Sequence, residues 1–229
     1  MSALQHKALN GWPLFFLIAA VTFVGMMAGL ALIGISSPEA TVKLIRLSVQ
    51  FASPWIYIAF VTSALTQLFP GSVSDWLARN RRYTGLSFAA GFGWQAVFIA
   101  VLFAFHASYY WEVLHTPDGL FLRIVSYIFL IAMTATSFFP VRRKIRPQHW
   151  RWLHLACIWY FWAAIWVSYA GQALSSQAKT IDVVYTVLGL LVLALRIAAY
   201  LKSRAGKSIH KTTGLDQSRG SVKCQEHVT

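Results

Sequence analysis

Acidic side chains are scarce in this chain: seven Asp and Glu stand against twenty Lys and Arg. Charge of both signs makes up only 12% of the residues, where a soluble domain usually carries about 25%. With 57% of its 229 residues hydrophobic, the chain has more apolar surface than one globular core can enclose, and the excess must face lipid. Cysteine is scarce too. Cys157 lies in an apolar segment and Cys224 in a polar one, a pair that excludes a disulfide framework and a cysteine metal site. There is no internal repeat, glycine-rich phosphate loop, Ser-His-Asp arrangement or metal-spaced His/Cys cluster. The usual nucleotide-hydrolysing, acyl-transfer and zinc classes therefore have no foothold.

What the chain does have is long hydrophobic runs. Crossing about 30 Å of hydrocarbon takes roughly 20 helical residues. Six segments qualify: Trp12–Ile35, Leu47–Phe69, Tyr83–Phe105, Leu120–Phe139, Trp152–Ala173 and Ile181–Leu201. The expected fold class is an all-α membrane protein, a six-transmembrane-helix bundle over residues 12–202 with a short N-terminal segment, 1–11. The first run exceeds the 7–15 apolar residues of a signal peptide, so it reads as a retained span.

The cations divide the ends of these spans. Arg79, Arg81 and Arg82 follow the second segment, and Arg142, Arg143, Lys144 and Arg146 follow the fourth. Lys202, Arg204, Lys207, Lys211, Arg219 and Lys223 follow the sixth. The turn between the third and fourth segments holds Glu112 and Asp118 and no Lys or Arg. By the positive-inside rule both termini and the basic turns are cytoplasmic. The net charge of +13 is thus a topology signal and a contact with anionic lipid rather than a nucleic-acid surface. Residues 203–229 are polar and basic, and a mobile cytoplasmic tail is expected there. Trp150 and Trp152 at the inner level, and Tyr109, Tyr110 and Trp111 at the outer, suit membrane interfaces. Pro54 interrupts the second helix, and neighbouring helices are expected to satisfy the carbonyl it frees. Gly85, Ala89, Gly93 and Ala96 form a small-residue stripe suited to close helix packing.

Polar residues inside spans are costly and therefore informative. Gln95 lies midway along the third segment and His154 at the inner end of the fifth. A neutral Gln commonly bridges helices, and a His near a helix end commonly touches headgroups; ligation of a metal or haem is the sharper alternative for His154.

RRYTGLSFAAGFGWQ (81–95) and WRWLHLACIWYFWAAIWVSY (150–169) resemble the ferric-reductase-like transmembrane family, within it the haem-binding membrane subunits of periplasmic methionine sulfoxide reductase systems. The resemblance rests on Arg81, Arg82, Gly85 and Leu86, then Trp150, Leu153 and His154, and on LLVLALRIAAYLKSR (190–204) as a last helix entering a basic tail. It covers roughly residues 45–204. It implies a bacterial inner-membrane protein that carries electrons across the bilayer, with haems held by imidazoles between the third and fifth helices. Relatives carry a His where this chain has Gln95, fourteen residues after Arg81, and another where it has Val167, thirteen after His154. Both missing ligands belong to the outer haem, which is therefore not expected. An inner b-type haem remains, with His154 as axial ligand and Arg81 and Arg82 paired with its propionates. His106, His115 and His149 read as solvated interface residues. The sequence shows no flavin or nicotinamide domain, so a separate flavoprotein or a membrane quinol is the implied donor and a periplasmic protein the acceptor. The alternative is a non-catalytic, haem-free scaffold or partner-binding protein that keeps only the fold.

Overall fold

A computed structural model describes residues 6–114 and 116–225, with side chains described except at 118, 139 and from 206 onward. Six long helices carry the fold: α1 Trp12–Ile33, α2 Pro38–Leu68, α3 Ser72–Phe105, α4 Pro117–Thr136, α5 Pro147–Ala173 and α6 Thr180–Gln225. Each contains a stretch long and apolar enough to cross a membrane, and there is no strand among the described residues. The chain is a multi-pass membrane protein. The expectation of a mobile tail falls mostly on residues whose side chains are outside the described set.

Three helices, α2, α3 and α4, begin earlier than their apolar runs do, because capping rather than hydropathy sets their starts. Ser37 Oγ accepts from the Ala40 N–H at 3.1 Å, with Pro38 in the first turn, so α2 starts well before Leu47. Thr116 Oγ1 does the same for Gly119 at 3.2 Å ahead of Pro117. Ser74 Oγ accepts from the Gly71 N–H at 2.9 Å and launches α3 at Ser72. Consequently Arg79, Arg81 and Arg82 do not lie in a turn. They sit on the first three turns of α3, at fixed angular positions.

α2 is the hub, packed against α1, α3, α5 and α6, while α4 leans on α5. The main core joins Ile56 and Phe60 of α2, Phe88 and Phe92 of α3, and Ile158, Phe161 and Trp162 of α5. A smaller cluster of Met26, Leu44 and Phe98 ties α1 to α2 and α3. α2 and α3 approach closely at Gly91, where an added Cβ would stand 2.8 Å from Ala52 Cβ. The expected stripe is therefore displaced. Gly85 and Gly93 have nothing within 4 Å of a Cβ position, because Gly85 borders a cavity and Gly93 is exposed. Tyr110, just past the end of α3, is buried, and its hydroxyl accepts from Arg123 Nη1 at 2.8 Å.

Pro54 removes the N–H that would bond the Gln50 carbonyl within α2. The Tyr185 hydroxyl of α6 donates to that carbonyl at 3.0 Å instead. The Tyr185 ring stacks on Tyr169 at 4.7 Å, and the Tyr169 hydroxyl meets Ser53 Oγ at 3.1 Å. At the other end of the bundle Asn80 lashes the N-terminal segment to α3. Its Oδ1 accepts from the Gly11 N–H at 2.8 Å, and its Nδ2 donates to Asn10 Oδ1 and to the Trp76 carbonyl.

Candidate cofactor cavity

A cavity of about 460 Å³ opens at the end of the bundle where α3, α5 and the basic turn after α4 meet. That volume lies within the 300–1,000 Å³ usual for small-molecule and cofactor sites. Ile56 and Ala59 of α2, Leu86 of α3, Met133 of α4, and Leu155 and Ile158 of α5 supply apolar wall. His154 and the guanidinium groups of Arg81, Arg82, Arg142, Arg151 and Arg196 supply the polar lining, and none of the lining residues is acidic. The three residues singled out from sequence, His154, Arg81 and Arg82, thus border one space. Gly85, Leu86 and Trp150 of the same motifs border it too.

His154 is half-buried and held on two sides. Its ring packs against Trp150 with centroids 4.4 Å apart. Its Nε2 lies 3.1 Å from Thr136 Oγ1. The Thr136 hydroxyl has its own acceptor, the Ala132 carbonyl at 2.7 Å, so the 3.1 Å contact is best made by an Nε2–H donor to a threonine lone pair. In that neutral tautomer Nδ1 is the basic nitrogen. Trp150 Nε1 donates to the Thr136 carbonyl at 3.1 Å, so one α4 residue fixes both rings.

Arg196 is a site residue that the sequence reading passed over. It belongs to α6, inside the apolar window Thr180–Ala205. Its Nη1 donates to the Phe60 carbonyl at 2.8 Å, and its guanidinium lies 4.4 Å from the Phe60 ring and 5.1 Å from Trp159. A charge among ALRIAAY was signal enough, since intramembrane arginines default to function. Arg82 is half-buried beneath rings, with Trp12 at 5.6 Å and Tyr83 and Phe138 each at 5.8 Å. Arg142 covers Trp150 at 4.4 Å.

The part of the bundle away from the cavity has a different character. Between α3 and α5 the rings of Phe88, Phe92 and Phe161 pack with centroids 4.7–5.6 Å apart. Gln95 Oε1 accepts from Tyr127 of α4 at 3.5 Å, a helix bridge. Val167 is 61% exposed, facing away from the core. These residues do not fit a haem, since the space is filled by rings and neither position presents a donor to it. His106 lies in that part with its Nε2 3.2 Å from the Ile35 carbonyl, His149 is exposed near the cavity end, and His115 is outside the described residues. No group of three potential metal-binding side chains occurs among the described residues.

The cavity does fit the chemistry of one haem: an imidazole on α5, guanidinium groups for two carboxylates, and apolar walls. It offers a single nitrogen ligand, because the facing turns of α3 present Arg81, Arg82, Gly85 and Leu86. Compared with known proteins, the chain matches no family model, no curated protein and no solved structure.

Proposed function

We propose that this is a ferric-reductase-like inner-membrane subunit that binds one b-type haem in the inner cavity and handles electrons from a separate donor. The observation that carries this reading is the convergence of His154, Arg81 and Arg82 on one cavity of cofactor size. A haem bound there would supply a one-electron store whose potential follows its axial ligand and surroundings. His154 would hold the iron, with Thr136 and Trp150 fixing its ring as outer partners commonly fix a ligating imidazole. Arg81 and Arg82 would hold its carboxylates through paired N–H groups. The basic end is cytoplasmic under this reading, so a flavoprotein or a membrane quinol delivers electrons and a periplasmic protein consumes them. The rings packed between α3 and α5 favour a single haem, with onward transfer left to the partner.

The test is a reduced-minus-oxidised spectrum of the purified full chain. About one haem per chain is expected, lost in His154→Ala and little changed in Gln95→Ala. Colourless protein that elutes as a folded species overturns the reading. The second reading is a haem-free scaffold. It is favoured by the Thr136 contact, which already occupies the Nε2 position of the ring and leaves only Nδ1 for a ligand.

A further inference from the structure

Five guanidinium groups are more than two propionates require. Arg81 and Arg82 suffice for a haem edge, which leaves the rim made by Arg142 and Arg151. Both are exposed, and both border the cavity. Arg142 spends only its flat face on Trp150, at 4.4 Å, so its in-plane N–H groups remain suited to an anion. Arg143, Lys144 and Arg146 lie in the same turn and raise the local positive potential, while the cavity lining offers no carboxylate to neutralise it. Along α5, Arg151 is followed at spacings of four by Leu155 and Trp159, each 38% exposed. Residues at that spacing share a helix face. One face of α5 therefore runs from the Arg151 guanidinium along two part-exposed apolar side chains, Leu155 and Trp159.

We propose that this rim binds the phosphate of an anionic phospholipid, with an acyl chain lying along Leu155 and Trp159. A basic pocket between spans is a headgroup site by its charge alone. Those two side chains are what distinguish a lipid from free phosphate, which has no chain to lay on them. The two exposed arginines answer one phosphate diester in the bidentate manner that guanidinium favours. The proposal does not depend on haem, since it uses neither His154 nor Arg82.

The experiment compares the melting temperature of the full chain in nanodiscs of phosphatidylcholine alone, in discs containing phosphatidylglycerol, and in phosphatidylcholine discs with added inorganic phosphate. A rise of several degrees is expected with phosphatidylglycerol and none with phosphate. The rise should disappear in Arg142→Gln/Arg151→Gln and persist in Arg79→Gln, an exposed α3 cation off the cavity. Equal melting in both lipids, a gain that survives the double variant, or phosphate alone reproducing it would each overturn the proposal. If the double variant does not fold, retention of phosphatidylglycerol by Arg151→Gln in native mass spectrometry decides instead: undiminished retention overturns the idea. Because the lipid gain is read equally on colourless protein, failure of the haem reading shows in the Soret band and not in this comparison.

Discussion

Replacing Tyr185 by Phe isolates a single hydrogen bond whose existence is owed to Pro54. The substitution deletes the hydroxyl that donates to the Gln50 carbonyl at 3.0 Å. It leaves the ring that stacks on Tyr169 at 4.7 Å, and the backbone carbonyl that accepts from the Tyr57 hydroxyl at 3.2 Å. Side-chain hydrogen bonds between membrane helices average about 0.6 kcal/mol and reach about 1.7. Here the carbonyl has no helical donor to fall back on, so the upper part of that range applies, about 1–1.5 kcal/mol. In Pro54→Ala the new N–H at position 54 can bond Gln50 within α2, and the Tyr185 hydroxyl becomes redundant. The cost of Tyr185→Phe should then fall to a few tenths of a kcal/mol, within the usual scatter of neutral changes. A double-mutant cycle by reversible denaturant unfolding in mixed micelles measures both numbers. Equal costs in the two backgrounds would refute the idea that the tyrosine repairs the proline.

Three further outcomes follow from the packing and the site. Gly91→Val drives a branched side chain toward Ala52, where even a Cβ would stand at 2.8 Å, and should lower stability by about 1–3 kcal/mol. Gly93→Ala, with open space around its Cβ position, should be neutral or stabilise by up to about 1 kcal/mol in the same unfolding assay. Asn80→Ala removes the two hydrogen bonds that bind residues 10 and 11 to α3, and should expose the N-terminal segment to limited proteolysis while the spans stay protected.

Hydropathy was sufficient to read six spans, since each apolar run exceeds what a soluble helix needs and lies within a long helix. It could not place the helix starts. Ser37, Ser74 and Thr116 sit outside the apolar runs, and the capped turns they launch are polar, so a lipid-based criterion discards them. That same criterion treated Arg79–Arg82 as a connecting turn, whereas being helical is what points Arg81 and Arg82 into one cavity with His154. The role of Pro54 was legible because backbone chemistry demands a donor for the freed carbonyl. The identity of that donor, 135 residues away, was not. The small-residue stripe misled for a related reason. Residue size shows where helices can approach, while the approach at Gly91 depends on Ala52 standing opposite.

The basic end carries two meanings at once, and sequence separates them poorly. A cation placed to satisfy membrane topology needs only to lie on the correct side, whereas one placed to hold a ligand needs a fixed direction. Arg143, Lys144 and Arg146 do not line the cavity, and the first condition is enough to account for them. Arg196 meets the second in a way topology cannot explain. It lies within an apolar window, it is half-buried, and its head group is oriented by the Phe60 carbonyl and two rings from other helices. Keeping an arginine there costs about 2.5–3.5 kcal/mol at a span centre, and less near an interface. A helix that served only as an anchor would gain by replacing it with leucine. The direction of that guanidinium, together with the four others around the same 460 Å³, argues that this end of the bundle is built to hold an anion.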